Sequence, residues 1–450
     1  MSIPRSRLAP VLLISSLFRT RRICAMAALC TLLMPAALHA APPDTLPAMP
    51  ALQKPKAVRD EVTVDGTHIL VNGRPFLANG AGGRASFEDL ARLGATTVRT
   101  YGQDPGPVLD AAEKAGLKVI AGLWLEHPRH GFDYRDAQAR KAQLEKLRPM
   151  VERYRNHPAL LMWGVGNEIE VAVSDEAARP VWPAIEEAAQ FVKALDPHHP
   201  VMAVTADTGA DKVAQLVRHA PSVDVLGLNA YGDSLLTITE RARAQGWKGP
   251  IIFTEMGADG HWSVPRAPWG APIEPNTTAK ADKMRHYLQL AKQQGIGAIP
   301  IVWGDKQEVT PTWYSLLLPT GEWTETVGVM AELWGGTPPG GPNRAPRIEG
   351  LNFEGPMSFP PDGETRLKLT ASDPDGDPLD VTWQVMAETT AHSVGGAPEP
   401  VPPSFPQAVH EPTADSVRIA GLPPGQYRIF ATVRDGKGAG ASINLPFEVK

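Results

Sequence analysis

Short apolar runs of β character alternate eight times with amphipathic helical stretches between Lys56 and Gly335. The β runs are Phe76–Ala78, Ala95–Thr100, Lys118–Leu125, Leu160–Gly164, Val201–Thr205, Val223–Leu228, Ile251–Thr254 and Ala298–Val302. Strands buried on both faces read as continuous apolar runs, and the helices covering them carry apolar residues at helical spacing. The first helix is opened by Ser86 with Asp89 three residues on, a capping-box pattern. The others are Pro107–Ala115, Ala137–Tyr154, Ala184–Leu195, 211–219, 235–245, 280–294 and Val327–Trp334. Eight such units in about 275 residues are what a (β/α)8 TIM barrel needs, so the fold class is α/β. An open, doubly wound sheet is the alternative, because Gly80-Ala81-Gly82-Gly83-Arg84-Ala85 loosely matches a dinucleotide fingerprint. It fails in context: the next β run ends in Arg99-Thr100-Tyr101, where a nucleotide site wants an acid for the ribose. The stretch Val62–Arg74, with an Asn72-Gly73 turn, reads as a hairpin capping the bottom of the barrel.

Residues 1–40 carry Arg5, Arg7, Arg19, Arg21 and Arg22, no acid, and an apolar run from Ile23 to Leu38 that closes on Ala40-Ala41. This order reads as a signal peptide cleaved near Ala40, and predicts a periplasmic or secreted bacterial protein with no membrane span in the mature chain. An uncleaved anchor, lengthened by Leu8–Phe18, is the alternative. Both cysteines, Cys24 and Cys30, fall in this segment, so the mature chain is expected to lack disulfide and thiolate chemistry. Losing the five arginines takes the formal charge from −5 to −10, which argues against nucleic acid as a partner.

Residues 41–56 read as a Pro/Ala-rich tether, 57–335 as the barrel, and 336–349 as a linker that no helix or strand crosses. In 350–450 the short β runs Thr365–Thr370, Leu379–Val385, Ser416–Ile419, Tyr427–Val433 and Ser442–Val449 are separated by turns, which predicts a small Ig-like β-sandwich. There Asp373-Pro374-Asp375-Gly376-Asp377 is acidic, but the twelfth position of an EF-hand loop would be Gln384, so a turn is expected rather than a calcium loop.

In a TIM barrel, functional side chains stand at the C-terminal ends of the strands. Those ends carry Arg99 on the second strand, Trp124 and His127 on the third, Asn167 and Glu168 on the fourth, Asn229 and Tyr231 on the sixth, Glu255 on the seventh and Trp303 on the eighth. One cleft accounts for all of them. Two carboxylates converging from separate strands are the equipment for breaking or remaking a glycosidic bond. His127 and His130 are not in an HExxH pattern, so no metal and no cofactor is expected.

The run Asn156-His157-Pro158-Ala159-Leu160-Leu161-Met162-Trp163-Gly164-Val165-Gly166-Asn167-Glu168 resembles the acid/base segment of family 2 barrels in clan A of the glycoside hydrolases. Leu228-Asn229-Ala230-Tyr231 and Thr254-Glu255-Met256-Gly257 are similar to later segments of the same family. Val165-Gly166-Asn167-Glu168 also resembles β-1,3-glucanases and glucanosyltransferases of the clan. The resemblance implies that Glu168 is the general acid/base and Glu255 the nucleophile of a retaining reaction, with carboxyls ~5–5.5 Å apart. Arg99 and Tyr231 are then expected to hold Glu255, Asn167 to meet the sugar 2-hydroxyl, and Trp303 to offer a face for stacking. Trp124, His127 and Asn229 complete the expected substrate contacts. The implied protein is an exported retaining β-glycosidase for a β-linked glucan or related polysaccharide. A periplasmic transglycosylase with the same glutamates, and a non-catalytic carbohydrate-binding adaptor, are the alternatives. The segment from Asn343-Arg344-Ala345-Pro346 to Asp377-Pro378-Leu379 resembles cadherin-like or polycystic-kidney-disease-like sandwich modules.

Overall fold

Eight parallel strands close into a ring in a computed structural model that describes residues 59–207, 209–390, 396–397 and 399–450. The signal and tether expected from the sequence lie outside the described residues. In chain order, a three-stranded meander comes first: β1 (Val62–Asp65), β2 (His68–Val71) and β3 (Arg74–Phe76). The barrel follows as β4 (Gly80–Gly83), α1 (Phe87–Arg92), β5 (Thr97–Arg99), α2 (Gly106–Ala115), β6 (Lys118–Leu123), α3 (Ala137–Tyr154) and β7 (Leu160–Val165). Then come α4 (Asp175–Ala178), α5 (Val181–Leu195), β8 (Val201–Ala206), α6 (Lys212–His219), β9 (Val225–Tyr231) and α7 (Ile238–Ala244). It closes with β10 (Ile251–Gly257), α8 (Thr277–Gln293), β11 (Gly297–Trp303) and α9 (Glu325–Trp334). The ring order is β10-β11-β4-β5-β6-β7-β8-β9.

Strand alternation sorts the apolar residues into two cores. Val98, Leu123, Trp163, Leu228 and Phe253 face the helix layer, where α5 lays down Ile185, Ala188, Ala189 and Val192 at helical spacing. Ile120, Met162, Met202, Val225, Ile252 and Ile299 face inward and fill the barrel. Val62 and Ile69 of the meander join that inner cluster, so the hairpin plugs the bottom as expected and leaves the other end for chemistry.

The first barrel strand differs from expectation. Phe76 ends β3, and the strand itself is the glycine-rich Gly80–Gly83. Low strand propensity hid it, yet packing demands the glycines: a Cβ on Gly82 would stand 2.9 Å from the Tyr101 hydroxyl.

Beyond the barrel, β12 (Arg347–Phe353), β13 (Ser358–Phe359), β14 (Glu364–Ser372), β15 (Asp380–Ala387), β16 (Val409–His410), β17 (Ser416–Ala420), β18 (Gly425–Arg434) and β19 (Gly440–Val449) form two four-stranded sheets. Their orders are β12-β14-β17-β16 and β13-β19-β18-β15, packed on Leu367, Val385, Ile419, Ile429 and Phe447. Asp373 Oδ1 accepts the backbone N–H groups of Asp375 and Asp377, while Arg344 pairs with Asp375 and Lys437 with Asp377. Two of the three acids are thus ion-paired within a turn, and one oxygen from each of the three carboxylates lies within 4.8 Å of the others.

This sandwich docks on the barrel through buried polar groups. Asn444 Nδ2 donates to Glu274 Oε2 at 2.6 Å, and Lys280 Nζ donates to Glu274 Oε1 at 2.5 Å. Arg428 donates to the Pro272 carbonyl at 2.9 Å and pairs with Glu388 at 2.8 Å. Glu399, from the loop between β15 and β16, accepts the Val309 N–H at 2.7 Å on the loop after β11. Such groups tolerate burial only when every partner is present, so they fix one docking orientation.

Candidate active site

Glu168 leaves β7 by an unusual backbone route. Gly166 has φ 69° and Glu168 itself φ 51°, in the left-handed region that side chains avoid. The turn is pinned by Glu168 N donating to the Val204 carbonyl at 3.2 Å, and by Val171 N donating to the Glu168 carbonyl at 3.1 Å. Strain of about 1 kcal/mol or more is held there, as is common where a side chain must be aimed at a cleft.

Glu255 reaches the cleft by a different device. Phe253 pairs with Leu228, yet Glu255 pairs with Asn229, so β10 has one residue more than β9 at this point. This bulge explains why Phe253 and Met256, three apart, both face the helix-side core. It frees the consecutive residues Thr254 and Glu255 to serve the site together.

A closed chain of hydrogen bonds joins the two carboxylates. Arg99 Nη1 donates to Glu255 Oε1 at 3.1 Å and to the Thr254 carbonyl at 2.7 Å, and Nη2 donates to Asn167 Oδ1 at 2.7 Å. Asn229 Nδ2 donates to Asn167 Oδ1 at 3.1 Å and to Glu168 Oε1 at 2.8 Å. Thr254 Oγ1 donates to Asn229 Oδ1 at 2.8 Å, which fixes the Asn229 amide orientation. Tyr231 donates to Glu255 Oε2 at 3.2 Å. Arg99 also lies 4.4 Å above the Tyr101 ring. Asn167 Oδ1 is committed to protein donors, so its amide N–H2 is the group open to a sugar hydroxyl.

The environments of the two acids differ. Burial, followed by the nearby Glu255 charge, pushes the Glu168 pKa up to about 7, while the Asn229 hydrogen bond restrains it. Glu255 instead has a buried guanidinium directly against it. Burial, with Glu255 next in effect, raises the Tyr101 and Tyr231 pKa values, so both phenols stay protonated donors. Two acids in such different surroundings, one shielded and one against a guanidinium, can divide the tasks of proton donor and anion.

The remaining expected residues take varied places. His127 is fully buried, with Trp124 at 4.8 Å between ring centroids. Burial, then Arg129 and His130, lowers its pKa to about 4, and neither ring nitrogen has a partner. It is a neutral backing ring rather than an exposed ligand. Trp303 departs from the stacking role expected of it. It is 1% exposed, lies in the helix-side core, and donates its indole N–H to the Ser86 carbonyl at 3.0 Å. Its neighbour Val302 packs against the cluster of Val309, Trp313 and Tyr314 instead.

Further residues stand around the two glutamates. Trp262 is 59% exposed in the loop after β10 and meets Tyr231 edge-on at 5.5 Å. Tyr314 lies 5.6 Å from the Tyr231 ring, and its hydroxyl is 3.0 Å from His261 Nδ1. Glu308 is buried beside Lys306 at 2.5 Å; burial raises its pKa, and Glu255 adds to the shift. Arg129 lies in the field of Glu168 and Glu170, with a buried, unpartnered Nη1. Tyr101, two positions after Arg99 at a strand end, and Arg129, in the polar and aromatic loop Trp124–Tyr134, carry a sequence signal. An open depression beside the N-terminal strand ends, lined by Asp60, Lys193, His198 and Asp224, holds none of these groups.

Residues 106–263 match the family model of glycosyl hydrolases family 2, TIM barrel domain. The matched segment runs from α2 to the loop after the seventh strand and contains both glutamates. Curated relatives include the β-glucuronidases of Rattus norvegicus, 29% identical over 238 residues, and Chlorocebus aethiops, 31% identical over 234 residues. Each alignment covers 44% of this chain and 33% of the relative, so the chain spans about a third of the length of these relatives. A solved β-glucuronidase from Bifidobacterium dentium is similar at 20% identity and a TM-score of 0.48, over 62% of this chain and 49% of that one. Residues 106–263 are thus similar to the family 2 TIM-barrel domain, and antiparallel β sheets follow the barrel.

Proposed function

We propose that the protein is an exported retaining β-glycosidase acting on a β-linked glucan or related polysaccharide. The observation that carries this is the hydrogen-bonded chain Glu168–Asn229–Asn167–Arg99–Glu255, which ties one acid with a raised pKa to one paired with a guanidinium. In the first step a Glu255 oxygen attacks the anomeric carbon while the protonated Glu168 delivers its proton to the departing sugar oxygen. The bond to the leaving group breaks as the ester to Glu255 forms. Glu168, now ionised, takes a proton from water as that water attacks the anomeric carbon and releases Glu255. If a sugar hydroxyl replaces the water, the same steps are a transglycosylation. The Asn167 amide is placed to strengthen a bond to the substrate as charge develops.

β-Glucuronides are the second reading, favoured by the similarity to β-glucuronidases. A uronic acid needs a cation facing its carboxylate. Arg99 is engaged with Glu255 and Asn167, and Lys306 with Glu308, whereas Arg129, in the field of Glu168, keeps a buried Nη1 without a partner and is the cation available to face such a carboxylate. The test is a panel of β-glucans, mannans and galactans, with nitrophenyl β-glycosides including the glucuronide, read by chromatography and by the anomeric configuration of the first product. E168Q and E255Q are expected to bind glycan but not turn it over. Full activity in both variants would sink the glycosidase reading and leave the adaptor class standing.

A further inference from the structure

A single exposed tryptophan is ordinary on a protein surface. Here the chain has eleven, and the two with large exposure, Trp124 at 38% and Trp262 at 59%, both stand on the rim that carries the glutamates. Trp124 directly follows β6, the third strand, and Trp262 follows β10, the seventh. In an eight-membered ring these positions are four places apart, so the two indoles stand across the barrel mouth from each other. Glu168 on the fourth strand and Glu255 on the seventh lie between and beside them.

Each indole is held in place from behind. A Cβ on Gly260 would stand 2.3 Å from the Trp262 ring, so the indole lies directly on that backbone. Its edges meet Tyr231 at 5.5 Å and His261 at 5.0 Å. Trp124 has its own Cβ pressed against Gly102, where an added Cβ would come within 2.6 Å, and its ring leans on the buried His127 at an angle of 39°. One face of each indole is therefore supported and the other open. A ring already fixed loses little rotamer freedom when a ligand lands on it. The apolar C–H face of a pyranose is the ligand such a platform fits, because the ring's hydroxyls stay at the edges in water or on protein donors.

Resting on the glycosidase reading above, we propose that Trp262 and Trp124 are paired sugar platforms on opposite sides of the scissile bond, so that the site grips a linear glycan laid across the barrel mouth and cuts at internal linkages. Trp262 stacks a unit on the Glu255 flank, and Trp124 stacks one on the side of the third and fourth strands.

The test uses wild type, W262A, W262F and W124A with linear oligosaccharides of about two to six units, made of whichever sugar the panel selects. A single-unit nitrophenyl glycoside of the same sugar serves as reference. Wild-type kcat/KM is expected to rise with chain length, and each alanine variant to cut the ratio of longest to shortest chain by about ten- to a hundredfold. W262F should recover part of that ratio, which a generally damaged fold would not. Early products from a long polymer should be of mixed lengths. A wild-type rate independent of length, or alanine variants that keep the wild-type ratio, would overturn the paired platforms while leaving the glycosidase reading intact. Wild-type inactivity on every glycan would overturn both.

Discussion

Replacing Glu168 with glutamine tests the electrostatics of the site while preserving its shape. Burial and the Glu255 charge move the Glu168 pKa from an ordinary 4.5 to about 7. Between those values the folded chain keeps a proton that the unfolded chain has released. The folded state therefore carries no penalty well below pH 4.5, loses stability as pH climbs toward about 7, and bears the full penalty above it. At about 1.4 kcal/mol per tenfold, the penalty is about 3 kcal/mol. Glutamine stays neutral at every pH, and its oxygen can still accept the Asn229 amide that now lies 2.8 Å from Glu168 Oε1. E168Q is thus expected to be about 3 kcal/mol more stable than wild type near pH 8.5 and to match it near pH 4. Denaturant titrations of both proteins at the two pH values measure this directly. A gain that is the same at both, or a loss at the higher pH, would mean that the carboxyl is not held protonated by its surroundings. The proton-donor assignment would then lose its physical basis.

Related perturbations read the same network from other sides. Asn229 restrains the Glu168 pKa, so N229A should move the alkaline limb of kcat/KM upward by about one pH unit, the size of one charge-assisted hydrogen bond; an unmoved or lowered limb would exclude that restraint. Y231F removes the donor 3.2 Å from Glu255 Oε2 and should lower kcat by about ten- to a hundredfold while leaving the alkaline limb in place. N444A strips a donor from the buried Glu274 and should destabilise the chain by about 1–3 kcal/mol in urea unfolding, whereas a freely tethered sandwich would leave the barrel's transition unchanged.

The polar residues at strand ends were readable because a TIM barrel turns sequence position into spatial position. Arg99, Glu168, Asn229, Tyr231 and Glu255 each close an apolar run, and the ring brings those ends to one rim. What could not be read depends on contacts between elements. The strand Gly80–Gly83 has no apolar signal because the Thr97 backbone, the Tyr101 hydroxyl and the Trp303 backbone occupy the space that side chains on Gly80, Gly82 and Gly83 would fill. Trp303 has the signature of a rim aromatic, yet it points to the helix side and bonds the Ser86 carbonyl that starts α1. The bulge at Thr254 follows from pairing with β9, which no local pattern reveals. Trp262 lies in a loop without periodicity, and only its seat on Gly260 and Tyr231 distinguishes it from scattered surface tryptophan. The candidate catalytic pair is thus encoded locally, whereas the proposed sugar platforms at Trp124 and Trp262 rest on loop contacts that no local pattern carries.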